Sequence, residues 1–425
     1  MSSYSASGLI VAGGRPTLAV AQGPGADLHG AEGAERAPRL PGSAGTVLVH
    51  ADLHNHTLLS DGAGSPEDAF AAMRAAGLDV AALTDHASVA PGFDIPERTR
   101  DNAEAVARWT MAPRSIDAAG WARTGRLADE QDSPGEFTAV RGFEWTEPWL
   151  GHVNVWFSED WTDVQELGGT RHLFDWLAER SAPGPAGTPA LAGLNHPGRE
   201  PGRFDGFRYD ARLADRVVSM EMFNRGDDYL FEGWAEGRPS PLLAALDAGW
   251  RPGLLGVTDE HGRTWGSAEG RGRGGLWVHE HSRAGVAEAL RARRFFATRL
   301  SGLRLDAALD GVRIGSELPS PPRAARLELD VDRGPAWAGR ELVAQLLRPG
   351  ADDDVPRVAA EVAVRCGEPV DCEAELGDPP PAGRPDWVVL RLADPDAANR
   401  TPGPRGHAAN ALAVAYASPW WAGRA

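Results

Sequence analysis

Time after time in this chain a short apolar, strand-like run ends directly in a histidine or an acid, and that repetition constrains the fold more than any other feature. Val47-Leu48-Val49 leads into Asp52-Leu53-His54-Asn55-His56, followed by Thr57-Leu58-Leu59-Ser60-Asp61-Gly62. Val80 to Thr84 runs into Asp85-His86, and Thr138 to Phe143 ends at Glu144. Leu191 to Leu194 opens onto Asn195-His196-Pro197-Gly198, and Leu254 to Thr258 onto Asp259-Glu260-His261-Gly262. Helical signals separate these runs. Ser65-Pro66-Glu67-Asp68 supplies an N-cap, a first-turn proline and two acids ahead of Phe70, Met73 and Ala76, with Gly77 as the stop. Further helices are expected over about Glu97 to Thr110, His172 to Arg180, Pro241 to Ala248 and Ala284 to Arg294. Apolar strands alternating with amphipathic helices call for an α/β fold with a largely parallel sheet, and so many repeats suggest a barrel. Such barrels place their chemistry where strands end, which is where the polar residues fall here.

The remaining segments complete the organisation. Residues 1–45, rich in Gly, Ala and Pro, read as a partly irregular lead-in with one short apolar run at Leu9 to Ala12. The polar stretch through Glu136 reads as an irregular insertion over one end of the domain, as a lid would be. Gly151 to Phe157 alternates with period two, putting His152, Asn154 and Trp156 on one strand face. Val217 to Asn224 and Leu276 to Val278 are further strands. These elements delimit a first domain at 46–299. Beyond it, Ala325 to Val331, Glu341 to Leu347, Ala359 to Val364, Trp387 to Leu392 and Leu412 to Ala417 are strand-like and divided by Pro/Gly/Asp turns, so 300–425 reads as a small antiparallel, sandwich-like β domain.

Composition narrows the chemistry. The formal net charge of -17 argues against broad binding of a phosphate backbone, so no long nucleic acid is expected as a partner. The chain contains no lysine, which removes Schiff-base, P-loop and general-base lysines. Its only cysteines, Cys366 and Cys372, have no histidine between them and cannot build a zinc site alone; free thiols in a reducing cytoplasm are the expectation. The N-terminal stretch lacks a basic region with a long apolar core. No run approaches the roughly 20 apolar residues of a membrane span, so no membrane partner is expected. A metal centre would therefore have to be built from His, Asp and Glu.

The strand-end residues that could build one are His54, His56, Asp61, His86, Glu144, His152, His196, Asp259 and His261, drawn from six segments. Each has a bland reading: Asp85 and Asp259 as helix N-caps, Asn195-His196-Pro197-Gly198 as a turn, His152 as a solvent-facing strand residue. Together they argue for metal, because each strand end contributes a ligand of the type divalent ions use. Alternate residues of an extended strand share a face, so His54 and His56 can grip one ion. Asp52, on the same face, could orient a ring from behind.

The order His-x-His with Ser-Asp-Gly, then Thr-Asp-His, a strand-end Glu, Asn-His-Pro-Gly and Asp-x-His resembles the PHP family, named for polymerase and histidinol phosphatase. Glu144 followed by Gly151-His152, with a C-terminal β segment, is most similar to its CehA/McbA-type metallohydrolase branch. The resemblance covers about residues 46–300. It implies a distorted (β/α)7 barrel carrying two or three divalent metal ions at the C-terminal ends of its strands. By resemblance, His54, His56 and Asp259 would hold one ion together with bridging Glu144; Asp61, His86 and His261 a second; Glu144, His152 and His196 a third. The usual Ser-Asp-Ala-His of the closing motif is here Thr258-Asp259-Glu260-His261, with both ligand positions kept.

Ligands without thiolate suit Zn, Mn or Fe, and ions about 3.5 to 4 Å apart would activate a bridging water and polarise the attacked group. The expected function is hydrolysis by a metal-bridging hydroxide of a small-molecule phosphoester or a carboxylic ester, carbamate or amide. Asp259 or His261 is the candidate for passing a proton to the leaving group. Arg225, at the end of the Val217 to Asn224 strand, is a candidate clamp for a phosphate or carboxylate, which would make the substrate anionic. Arg263, Arg271 and Arg273 are weaker anion candidates, and Trp145, Trp149 and Trp265 are candidates for an aromatic pocket. Gly270 to Gly275 fits G-x-G-x-x-G but precedes a strand, so it is not a dinucleotide site. The alternatives are a nucleotide phosphatase or exonuclease-type phosphodiesterase, and a non-catalytic metal-binding PHP scaffold.

Overall fold

A computed structural model describes residues 33–89, 113–164, 169–180, 182–184, 186–267, 270–350, 354–381 and 383–422. The helix expected over about 97–110 lies outside them.

The first half is built on strands β1 (Val47–Asp52), β2 (Val80–Leu83), β3 (His86–Ala87), β4 (Thr138–Glu147), β5 (Gly151–Trp156), β6 (Leu191–Leu194), β7 (Val217–Asn224), β8 (Asp227–Asp228), β9 (Gly253–Val257), β10 (Arg273–Val278) and β11 (Phe295–Thr298). Helices α1 (Pro66–Ala75), α2 (Ala118–Gln131), α3 (Arg171–Glu179), α4 (Pro241–Asp247) and α5 (Arg283–Arg291) lie between them. The caps are those the sequence advertises: the Ser65 hydroxyl accepts from Asp68 N–H with Pro66 in the first turn, and Ser282 does the same for Gly285.

The sheet is mixed rather than largely parallel. β1 pairs parallel with β2, β2 with β4, β6 with β7 and β7 with β9, but β4–β5, β5–β6 and β1–β10 are antiparallel. Chain length explains the first departure. Only Pro148–Leu150 join β4 to β5, too few for a crossover helix, so the strands turn back as a hairpin. The second departure is α2, where an irregular lid was expected. Trp121, Thr124, Leu127 and Ala128 recur at helical spacing and are buried, and the Asp117 carboxylate caps the helix by accepting from Gly120 N–H.

Strand faces are divided between two packing layers. Ala81, Leu83 and Ala139 face α1 and α2 through Phe70, Met73 and Leu127. Val80, Ala82 and Val140 turn the other way and meet Val49, Ala51, Leu191, Val218, Leu255, Val257 and Leu276 in one cluster. Strands buried on both faces read as continuous apolar runs, which is why their polar residues gather at the ends.

The later strands are β12 (Arg304–Leu309), β13 (Val312–Arg313), β14 (Glu317–Leu318), β15 (Ala324–Asp332), β16 (Glu341–Arg348), β17 (Arg357–Arg365), β18 (Val370–Glu375), β19 (Asp386–Ala398), β20 (Ala411–Ala417) and β21 (Trp420–Ala422). One sheet runs β13-β12-β15-β18, and a second is formed by β17, β16, β19 and β20. Leu305, Leu327 and Leu329 of the first pack with Leu342, Leu346, Leu390 and Leu392 of the second, the facing-sheet arrangement expected from their alternation. β20 also pairs with β11, so hydrogen bonding continues from this part into the first half. Cys366 and Cys372 are free thiols. Among the described residues no helix is long and apolar enough to cross a membrane.

A buried ion pair pins this half. Arg348, fully buried on β16, forks onto Asp386 and also donates to the carbonyls of Pro322, Leu376 and Gly377. Arg348→Ala strands the buried carboxylate and is expected to lower unfolding free energy by about 3–5 kcal/mol in urea titrations. A loss below about 1 kcal/mol would show that the pair is dispensable.

Candidate metal centre

Glu144 occupies the middle of the site. It lies on β4 with Thr146 on the same face, opposite Asn154 and His152 of β5, and β3 sets His86 beside it. Its Oε1 lies 3.1 Å from His54 Nε2, 3.1 Å from His152 Nδ1 and 3.4 Å from His196 Nε2, and accepts from Asn195 Nδ2 at 2.7 Å. Its Oε2 lies 3.4 Å from His56 Nε2 and 2.7 Å from His86 Nδ1, yet makes no well-formed hydrogen bond. Two oxygens of one buried carboxylate thus face five imidazole nitrogens.

The other candidates complete three groups around it. Asp259 Oδ1 is 3.5 Å from His54 Nε2 and 3.2 Å from His56 Nε2, and these two nitrogens are 3.1 Å apart. Asp61 Oδ1 is 3.5 Å from His86 Nε2 and 3.3 Å from His261 Nε2. His152 and His196 meet on Glu144 Oε1. All nine residues singled out by sequence therefore converge at one end of the strands. Their spacing fits metal. Bonds of about 2.0–2.1 Å in a tetrahedron leave donor atoms about 3.3–3.4 Å apart, the separation seen here. The two Nε2 atoms, 3.1 Å apart and both within 3.5 Å of Asp259 Oδ1, also call for a shared proton or cation.

Local interactions aim the loops. Asp85, which follows β2, accepts from the N–H and hydroxyl of Thr57 and from Ser60, fixing the turn that carries Asp61. Asp52 accepts from the N–H and hydroxyl of Thr258 and from His54 N–H, and among the described residues it makes no hydrogen bond to an imidazole, so it locks β1 to the loop of Asp259 instead of orienting a ring. Trp265 is buried and donates to the His56 carbonyl, and Trp145 is buried in the core, so neither lines an open pocket. Arg271 pairs with Glu260, and Arg273 is buried and donates to Gly266; both are structural rather than anion contacts.

Three residues escaped the sequence reading. Glu221, in the middle of apolar β7, accepts from His54 Nδ1 at 2.7 Å, from His196 N–H at 2.7 Å and from Asn224. Glu200 faces His196 Nδ1 at 3.2 Å. Each sits behind a histidine whose other nitrogen faces Glu144, the arrangement that fixes tautomer and ring direction at metal sites. Glu221 carried a signal: a carboxylate inside a buried strand must have partners. The third is Arg199, which donates to Tyr229 Oη at 2.7 Å and lies 3.6 Å from Asp259 Oδ2. Arg225 reaches the same carboxylate, with Nε 3.1 Å from Asp259 Oδ2 and Nη2 2.5 Å from His261 Nδ1.

Charge is organised accordingly. Burial alone would raise the Glu144 carboxyl, but His54, His152 and His86 hold it well below the usual range. Burial works the same way on Asp259, and Arg225 with His54 overcomes it. Burial and the neighbouring His86 and His261 keep His56 neutral. His54 is pushed well up against its burial by Glu144, Asp259 and Glu221, and His196 reaches about 9 against its burial and Arg199, through Glu200 and Glu144.

No protein-family model and no curated protein matches the chain. Solved structures do. A two-domain protein containing a predicted PHP-like metal-dependent phosphoesterase from Bacteroides vulgatus ATCC 8482 aligns over 85% of this chain and 95% of its own, at 16% identity and a TM-score of 0.43. A candidate metal-dependent phosphoesterase from Bifidobacterium adolescentis ATCC 15703 aligns over 50% of this chain and 88% of its own, at 14% identity and a TM-score of 0.27. An amidohydrolase from Chromobacterium violaceum aligns over 50% and 87%, at 17% identity and a TM-score of 0.25.

Two measurements test the centre. Glu221→Gln is expected to weaken divalent-ion affinity about 10–100-fold, and unchanged affinity would remove its orienting role. Because His54 and His196 hold protons near neutrality in the metal-free protein, ion binding must displace them. Affinity should then rise with pH toward about 9, and calorimetry in buffers of different ionisation heat should show release of about one to two protons per chain. Buffer-independent heats would contradict this.

Proposed function

We propose that the chain is a PHP-type metal-dependent hydrolase acting on a small-molecule phosphoester, with residues 46–299 as a distorted (β/α)7 barrel and 300–425 as its β domain. The observation that carries this reading is Glu144, a single buried carboxylate whose two oxygens face five imidazole nitrogens. The inward cluster shared by β1, β2, β4, β6, β7, β9 and β10 supports the barrel. We place the protein in the cytoplasm, with no membrane and no long nucleic acid among its partners.

In this proposal His54, His56, Asp259 and Glu144 would hold one divalent ion, Asp61, His86 and His261 would hold a second, and Glu144, His152 and His196 would hold a third. Such ions, when bound, supply Lewis acidity at the attacked centre and lower the pKa of water toward neutrality. The protein's own groups do the rest. Glu221 and Glu200 fix the rings of His54 and His196, and Asp85 fixes the turn of Asp61. Arg225 steadies Asp259 and His261, the pair proposed to pass the proton to the leaving group; His261 is a quarter exposed and reaches solvent. Arg225 and Arg199 flank Asp259 with two guanidiniums, a charge arrangement that favours a phosphoryl substrate over a neutral ester, carbamate or amide.

After reconstitution with Zn, Mn or Fe, the purified protein is expected to hydrolyse p-nitrophenyl phosphate in preference to naphthyl esters. Glu144→Gln should abolish turnover and lower metal content together. Full activity in that variant would eliminate the bridge, and ester cleavage without phosphatase activity would move the reading to the carboxylic ester or amide class.

A further inference from the structure

The hairpin that bears Arg225 is strained and is held from the far half of the chain. Arg225 and Gly226 both have positive φ, 52° and 92°, and join β7 to β8 in a two-residue turn of the kind that ordinarily takes Asn-Gly or Gly-Gly. An arginine in the left-handed region needs its surroundings to keep it there. The second residue after the turn is Asp228, fully buried. Its carboxylate accepts from Leu230 N–H at 3.1 Å, from Tyr416 Oη at 3.0 and 3.1 Å, and from Asn399 Nδ2 at 3.1 Å. The Tyr416 oxygen in turn accepts from Arg391 Nε at 3.0 Å, Arg391 Nη1 donates to Gln345 at 2.6 Å, and Gln345 donates to Glu361 at 2.8 Å. Arg299 closes the turn from the other side, donating to the Gly226 carbonyl with its guanidinium 4.5 Å from the Phe223 ring centre.

A chain of polar contacts, largely buried, therefore runs from β17, β16, β19 and β20 to the base of one short hairpin. That hairpin carries Arg225, and the next residue after Asp228 is Tyr229, whose hydroxyl receives Arg199. Both guanidiniums that flank Asp259 hang on this one anchor.

We propose that Tyr416, with Asn399 beside it, is a positioning residue for the anion-facing arginine pair: the C-terminal strands set where Arg225 and Arg199 stand, and with them the affinity for a phosphoryl group. This rests on the phosphoester reading for its ligand but not for its mechanics. A buried network of this kind is worth maintaining only when every member is satisfied, and the ends of this one lie in different parts of the chain.

The test combines Tyr416→Phe, which keeps the ring and deletes the hydroxyl, with Asn399→Ala, which removes only the second donor to Asp228. Hydrogen–deuterium exchange in residues 225–230 is expected to quicken at least about tenfold in each variant, with β1 and β4 unchanged and metal content at the wild-type level. Inorganic phosphate should bind the metal-loaded variants about tenfold more weakly, and KM for p-nitrophenyl phosphate should rise with kcat within about threefold. Combined with Arg225→Ala, Tyr416→Phe should add less than it does alone. Unchanged exchange in the hairpin, or quickened exchange with phosphate affinity untouched, overturns the proposal. Quickened exchange in a protein whose wild type binds no phosphate sustains the positioning role and defeats the phosphoester reading instead.

Discussion

A carboxylate buried on a β-strand among imidazoles is the constraint on which this structure turns. Glu144 could not stay ionised there without positive charge nearby, since the desolvation of a lone buried carboxylate costs several kcal/mol. The histidines cannot all supply that charge as protons. His56 is held neutral by burial and by its neighbours His86 and His261, so protonation that relieves one carboxylate repels the next ring. Asp259, Glu221 and Glu200 add further buried negative charge within the same few ångströms. The economical solution is a small number of divalent cations at the centre, each satisfying several donors at once.

Three strained backbone positions lie where that solution is assembled. His196, Arg225 and Asp259 all have positive φ although none is glycine, at 27°, 52° and 48°. Such conformations cost of order 1–3 kcal/mol each and persist only where surrounding groups over-determine them. Here those groups can be named. His196 N–H is held by Glu221, Asp259 by Arg225, and the Arg225 turn by Arg299 and the Asp228 anchor. Rigid strands bring the loops to one end, and hydrogen bonds across neighbouring loops set the final angles.

Much of this was legible in the chain itself, because strands buried on both faces leave their polar residues only one place to go. Reading where apolar runs stop therefore gathered His54, His56, Asp61, His86, Glu144, His152, His196, Asp259 and His261 without any knowledge of the sheet. Pairing direction was less legible. Periodicity identifies β5 as a strand, but only the length of Pro148–Leu150 reveals that it must run back along β4. α2 was hidden by its polar surface, since its apolar positions are few and widely spaced. Glu221 was hidden by the same rule that exposed the others, because it lies inside a run and not at its end. Asp52 was placed on the right strand and given the wrong partner: strand parity fixes a side chain's face but not whether a threonine or an imidazole will meet it there.

Anomalous diffraction at the absorption edges of Zn, Mn and Fe, on crystals of the protein grown with those ions, would test the central claim most directly. The account predicts two or three peaks per chain, each within about 2.0–2.3 Å of its donor atoms and grouped around Glu144. Crystals whose bound metal lies elsewhere, with the Glu144 cluster bridged only by water and protons, would contradict it.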